Sequence, residues 1–496
     1  MTKRTEARET LAYALLTDLY QITMAQGYWA NGKADEQACF HMFFRENPFK
    51  GGFAIACGAA QLAEMVDGFA FSDDDIAYLA SLDAPGGGAL LDPAFLSYLR
   101  TMRLTVDIDA VREGTAVFPM EPIVRVTGPI LQCQLLETAL LCCMNFQTLI
   151  ATKAARVCLA AGAPVAEFGL RRAQGAGGSL WASRAAVAGG CASTSNVLAG
   201  KMFGIPVSGT HAHSWVMAFD DELEAFRAYA RSFPTNCVLL VDTYDVKRGI
   251  DNAITVGLEM RARGQRLAGV RIDSGDLAWL ARYARERLDA AGLSDCGIVL
   301  SNDLDEYTIE SIREQGAQVS SWGVGTKLAT AYDQPSLGGV YKLSATRASA
   351  RDPWTARLKV SEQSSKLTLP GVLDVRRYRF ADGRLAGDMV FDVNEAVDER
   401  ATIIDPADAL RSKELAGLAY ETLLAPLARE GASVLPDEER SALAARSRTL
   451  AGLADLDESQ KRFLNPHSYP VGLEAGLWRR RADMAAALRT ARTPIR

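Results

Sequence analysis

Six short apolar runs in the middle of this chain each end in residues that can do chemistry. "PVAEFGL" closes with Glu167, Phe168, Gly169 and Arg171, and "IPVSGT" with Gly209 and Thr210, followed by His211 and His213. "CVLLVDTYD" delivers Asp242 and Asp245, and "AGVRIDSGD" delivers Arg271, Asp273, Ser274 and Asp276. "GIVLSNDLD" ends with Ser301, Asn302 and Asp303, and "AQVSSWGVGT" with Gly323, Gly325 and Thr326, followed by Lys327. Arg171 and Arg271 can clamp a carboxylate or phosphate bidentately. Asp242, Asp273 and Asp303 can hold Mg²⁺, a ribose diol or those arginines. "SWGVGTK" offers backbone N–H groups unobstructed by Cβ atoms, with the Thr326 hydroxyl beside them, a cradle for phosphate. The pattern therefore points to an anionic, phosphate-bearing substrate. Helix caps and turns also recruit Asp, Ser, Gly and Thr, so any one cluster could be a cap. Six in register are not explained by capping alone. No HxxxH or Cys/His spacing supports zinc, and no GxSxG pattern occurs.

The elements that would position these residues follow from the spacing. Amphipathic helical runs such as "KRGIDNAITVGLEMRARG" and "DLAWLARYARERLDAAG" separate the strands. That is the βα repeat of a parallel sheet, and short all-apolar strands suit a sheet buried on both faces. In an α/β barrel the site lies at the C-terminal ends of the strands. The flanking regions differ. Residues 1–130 mix helix ("LAYALLTDLYQITMAQGYWA") and strand ("QACFHMFFR", "GFAIACG") and predict an α+β, sandwich-type domain. A long helix from about residue 132 opens the barrel domain, 131–345. Residues 346–496 hold a hairpin turning at Asp382-Gly383 and an Ala- and Arg-rich helical tail. The Arg clusters at 376–377 and 479–481 read as solvated faces.

Composition bounds the rest. A chain of 496 residues exceeds one compact core, so two or three domains are expected. A net charge of −6 argues against a general nucleic-acid binder. The nine cysteines include no CxxC pair and mostly lie in apolar runs, as reduced thiols of a cytoplasmic protein do. The charged start "MTKRTEARET" lacks a signal-peptide core, and the most apolar stretch is interrupted by Glu137, Asn145, Gln147 and Lys153, so no membrane association is expected.

Taken together, "LLTDLYQITMAQGYW", "FFRENPFKGGFAIACG", "EFGLRRAQG", "GTHAHSW", "LLVDTYDVKRGIDNAI", "GVRIDSGDLAWLA", "LSNDLDEYTIESI" and "GVGTKLATAYDQPSLGGVYKL" resemble the nicotinate phosphoribosyltransferase family. The resemblance implies an irregular, TIM-like parallel α/β barrel, plus a sandwich domain formed by N-terminal and later segments. It implies nicotinate and phosphoribosyl pyrophosphate as substrates, ATP as co-substrate, Mg²⁺ as cofactor, and a homodimer with a shared active site. It implies that Tyr20 reaches the pyridine ring from the partner subunit, with Phe168, Arg171, Thr210 and Arg271 as further nicotinate-binding residues. Asp242, Gly323, Gly325 and Thr326 would bind phosphoribosyl pyrophosphate, and Asp273 would act at the ribose. His213 would be the histidine that ATP phosphorylates. His211 falls at a variable position of the motif, so its replacement is expected to spare activity. Side-chain alternation alone leaves the two histidines equivalent, because they point the same way along an extended strand. His41 reads as a satisfied core histidine and His467 as a loop residue.

Two alternatives remain open from sequence. One is the same reaction with nicotinamide, and the other a catalytically silent barrel that only binds. Against the first, the resemblance implies that nicotinamide-using relatives carry an Asp on the segment after the Phe168–Arg171 motif, whereas the matching stretch here, "GGCASTSNVLAG", holds Ser193, Thr194, Ser195 and Asn196 but no carboxylate, and so favours an anionic base over a neutral amide.

Overall fold

The computed structural model describes residues 13–360 and 367–490. It divides into two compact units. One comprises 149–335 with 441–450, and the other comprises the described residues of 13–148, 336–440 and 451–490. The sequence boundaries of 130/131 and 345/346 thus differ from the contact boundaries. The first contact boundary falls inside the helix Glu137–Ala161, and part of the helix Ala442–Asp455 counts with the central unit.

The central unit is built on a six-stranded parallel sheet. Its strands in chain order are β1 (Val165–Glu167), β2 (Ser193–Thr194), β3 (Cys237–Leu240), β4 (Leu267–Ile272), β5 (Gly297–Asn302) and β6 (Ser321–Val324). In space they run β2-β1-β6-β5-β4-β3, with every neighbouring pair parallel. All six C-terminal ends therefore lie along one edge of the sheet. The strands are short and largely buried because helices cover them. The Val246–Ala262 helix turns Ile250, Ala253, Val256 and Met260 inward at helical spacing. Trp322 on β6 is fully buried, its indole N–H donating to Ala161 O at 3.1 Å.

This is a mixed α/β fold with a parallel sheet, as expected, but the backbone ladder does not run full circle. It ends at β2 on one side and β3 on the other. "IPVSGT", read as a strand, makes a single bridge, Val207 to Thr194, and it is Ser193–Thr194 that enters the sheet. Pro206 and Gly209 explain the interruption, since Pro cannot donate to a ladder and Gly weakens a strand.

The second unit carries a seven-stranded sheet and a six-stranded sheet. The strand Gln37–Phe43 lies between Val340–Arg347 and Val124–Pro129, and Asp107–Val111 pairs with Leu424–Arg429. N-terminal and much later segments thus build one sheet together. The hairpin of Leu373–Arg379 and Leu385–Asp392 forms in the other sheet, turning through Gly383 at φ +88°. His41 is buried, and its Nε2 accepts the Leu373 N–H at 3.1 Å. The Arg clusters correct the solvated-face expectation. Arg377 is 3% exposed and grips Asp388 with two nitrogens. Arg481 is buried and donates to Pro406 O at 2.9 Å. A guanidinium survives burial when its donors are matched, which composition cannot show. All nine cysteines are free. Among the described residues no helix is long and apolar enough to cross a membrane.

Candidate active site

The strand-end polar residues sort into two jobs. Asp245 accepts the Arg248 N–H, Asp276 the Trp279 N–H and Asp305 the Thr308 N–H, so these three cap the helices that follow. Asp242 and Asp273 each sit three residues before the cap of the helix that follows, before the chain has turned into the helix, and bond across the strand ends instead.

Arg271, near the end of β4, is the hub. Its Nε donates to Ser301 Oγ at 2.8 Å, Nη1 to Thr210 Oγ1 at 3.0 Å and Nη2 to Asp273 Oδ1 at 3.1 Å. Ser301 in turn donates to Asp273. The guanidinium carbon lies 5.5 Å from the centre of the Phe168 ring, within cation–π range. A fixed positive plane beside an aromatic face can hold a flat anionic ring. Phe168 follows β1, and its ring owes its place to Gly323. A Cβ there would stand 2.6 Å from two ring carbons. Gly323 thus serves the aromatic wall from within β6, whereas Gly325 and Thr326 occupy the turn after it.

Asp242 follows β3. Its Oδ2 accepts the Asp273 N–H at 3.1 Å and the Ser274 hydroxyl at 2.6 Å, while Oδ1 is buried with no partner among the described residues. A buried, unpaired carboxylate oxygen is costly unless a ligand completes it. A cation or a ribose hydroxyl suits that oxygen. Among the described residues no cluster of three or more His, Cys, Asp or Glu forms a metal centre. Mg²⁺ suits such a sparse set, because it binds through one or two carboxylates together with substrate phosphates.

The two histidines separate cleanly. His213 opens the short helix His213–Met217 and is partly exposed. Its Nδ1 lies 3.2 Å from Thr243 Oγ1 and its Nε2 4.0 Å from Asp273 Oδ2. His211 is 7% exposed and spends both nitrogens: Nε2 accepts the Leu240 N–H at 3.1 Å and Nδ1 faces Ala212 O at 3.3 Å. Burial, chiefly, pushes its pKa down to about 4.

The remaining candidates are distributed as follows. Arg171 is exposed in a 3₁₀ turn, with no hydrogen bond or ion pair of its own among the described residues. Asp303 is exposed too. Tyr20 belongs to the other unit, on the helix Leu19–Ala30, and is 49% exposed. Of the hydroxyl-bearing stretch, Thr194 donates to the buried Glu167 at 2.6 Å and Asn196 caps the next helix through Ala199 N. Ser193 pairs with Ser208 at 2.6 Å. Of these four, Ser195 alone has a side chain with no such commitment among the described residues. The sequence placed Ser274 and Ser301 at strand ends without giving either a partner or a role, and it did not single out Thr243. Each stands directly at or beside a strand-end Asp or Asn, which was the available signal.

Comparisons with known proteins agree along the chain. Residues 15–145 match the nicotinate phosphoribosyltransferase N-terminal domain, 164–351 the nicotinate phosphoribosyltransferase family and 374–481 the nicotinate phosphoribosyltransferase C-terminal domain. A nicotinate phosphoribosyltransferase of Bacillus subtilis is 42% identical over 472 residues, covering 94% of each chain. The Homo sapiens enzyme of that name is 36% identical over 533 residues, covering 95% of this chain and 96% of its own. The crystal structure of human nicotinic acid phosphoribosyltransferase superimposes with a TM-score of 0.81 at 34% identity, covering 95% of this chain and 100% of that one. Three matched domains and relatives aligned over nearly their whole length lead to one statement: the chain belongs to the nicotinate phosphoribosyltransferase family.

Proposed function

We propose that this protein joins nicotinate to phosphoribosyl pyrophosphate, releasing nicotinate mononucleotide and pyrophosphate, in NAD salvage. The observation that carries this reading is Arg271, locked by three hydrogen bonds with its guanidinium beside the Phe168 ring. Pyridine carboxylate is flat and anionic and suits that pair. Glycosyl transfer at ribose C1 passes through a cation-like transition state and is served by positioning more than by a protein nucleophile. The Asp242 and Asp273 carboxylates would take ribose hydroxyls and steady that charge. The turn amides around Gly325 and Thr326 would receive phosphate. Mg²⁺, when bound with the substrate, would neutralise pyrophosphate charge, and Asp242 Oδ1 would be a protein ligand for it.

His213 is the proposed acceptor of the ATP γ-phosphoryl group. With Nδ1 held by Thr243, the lone pair on Nε2 attacks phosphorus; the N–P bond forms as the bond to ADP breaks. Water later cleaves the phosphohistidine to inorganic phosphate. We further propose a homodimer in which Tyr20 completes the partner's site. Leu19, Tyr20 and Met24 expose 53%, 49% and 42% of their surfaces on one helix, an apolar face suited to cover.

The test is direct. Purified protein is given nicotinate or nicotinamide with phosphoribosyl pyrophosphate, Mg²⁺ and ATP. Nicotinate mononucleotide is the expected product. Comparable turnover of nicotinamide would replace the substrate, and no turnover of either would leave a binding protein.

A further inference from the structure

We propose that His211 is a positioning residue for the reaction: its ring closes the parallel sheet that the backbone leaves open, and so sets Thr210 and His213. The sheet ends at β2 and β3, and the segment 204–213 spans both ends. At β2 it pairs by backbone, Thr194 N–H to Pro206 O at 3.0 Å and Ser208 N–H to Thr194 O at 2.9 Å. At β3 no backbone pairing follows among the described residues. There the Leu240 N–H, on a residue 1% exposed, donates to His211 Nε2 at 3.1 Å. The imidazole thus takes the place of a ladder carbonyl. The Tyr229 ring meets it edge-on at 4.6 Å and holds its plane.

The neighbours explain why the closure matters. Thr210 receives Arg271 Nη1, and His213 meets Thr243. Three anchors, to β4, to β3 and to the loop after β3, thus fall within four residues. If the middle one is released, Thr210 and His213 lose their common reference. An apolar residue would also leave the buried Leu240 N–H unpaired. His211 has no nitrogen left for phosphoryl transfer, because Nε2 accepts and Nδ1 carries the proton towards Ala212 O. A ring kept neutral by burial can do this job steadily.

The kinetic part of the test rests on the proposed activity, while the spectroscopic part does not. In ¹⁵N-labelled wild-type protein, His211 should appear as the Nδ1–H tautomer, and the Leu240 amide should exchange slowly. An Nε2–H tautomer or a freely exchanging Leu240 amide overturns the proposal, whatever the enzyme's substrate. Contrary to the expectation from its variable motif position, H211L should lose the Leu240 protection and lower kcat/KM for nicotinate on the order of 10–100-fold, as misplacement does. H211Q, whose side-chain oxygen can accept the same N–H, should restore protection and bring activity back to within about threefold. If H211L folds, loses the protection and still keeps wild-type kcat/KM, closure does not position the site. If it fails to fold, H211Q decides: loss of activity with protection intact also overturns the proposal.

Discussion

The backbone N–H of Asp273 donates to Asp242 Oδ2 at 3.1 Å, which ties the end of β4 to the loop after β3 and leaves Asp242 Oδ1 buried and unpaired. One oxygen of Asp242 is structural and the other is available to substrate or cation.

That division predicts a split between variants. Asp242→Asn can keep an acceptor for the Asp273 N–H but loses the charge. It should fold with near-normal Tm and lose kcat/KM for phosphoribosyl pyrophosphate by roughly 10²-fold or more. Asp242→Ala should in addition lose on the order of 1–3 kcal/mol of stability, because the Asp273 N–H and Ser274 hydroxyl lose their acceptor. Calorimetry and steady-state kinetics on the pair check this. Equal activity in wild type and Asp242→Asn would remove the carboxylate from the mechanism.

Substrate choice should respond at Ser195, the residue of 193–196 whose side chain is uncommitted. Ser195→Asp places a carboxylate where a pyridine carboxylate would be repelled and an amide N–H accepted. The ratio of kcat/KM for nicotinate over nicotinamide should fall by about tenfold or more, corresponding to roughly 1.4 kcal/mol. An unchanged ratio would place the specificity elsewhere.

Phosphoryl transfer should follow His213. His213→Ala should abolish acid-labile ³²P labelling from γ-labelled ATP and leave a slow, ATP-independent synthesis, since Arg271 and Phe168 remain. His211→Gln should still label. If label is lost from His211→Gln and kept in His213→Ala, the roles are reversed.

Stability should fall on mild acidification. His41 and His211 have pKa values lowered to about 3 and about 4, chiefly by burial. In each the unfolded chain binds a proton before the folded protein does. The folded state is therefore unpenalised above about pH 6.5 and loses stability as pH falls through the window down to those values. For His211 the full loss is on the order of 3 kcal/mol. Between pH 7.5 and 5.5, before most carboxylates titrate, Tm should drop, and the drop should shrink in His41→Gln and His211→Gln. A wild-type Tm independent of pH in that range would refute neutral burial.

A dimer that shares sites predicts complementation. Tyr20→Ala and Arg271→Ala should each be nearly inactive, and subunit exchange between them should restore about a quarter of wild-type activity, from one intact site in each heterodimer. No recovery after confirmed exchange would count against Tyr20 acting in the partner's site.

Much of this molecule was legible in its residues. Short apolar strands at βα spacing set a parallel sheet, and parallel strands put their C-terminal residues on one edge, so the clustering of these polar residues followed from local pattern. Asp382-Gly383 marked a hairpin because glycine tolerates the positive φ that the turn adopts. The jobs of individual residues were not legible. Asp242 and Asp245 are three residues apart and chemically identical, yet one faces a neighbouring strand end and the other caps a helix. Arg377 looked like surface until the fold supplied Asp388. His211 and His213 share a side-chain direction in sequence. Only the tertiary structure puts a buried backbone N–H against the first and leaves the second beside Asp273. Local pattern determines which groups reach the edge of the sheet. Pairing across strands far apart in sequence decides what each group meets, and a hydrogen bond depends on the partner as much as on the residue.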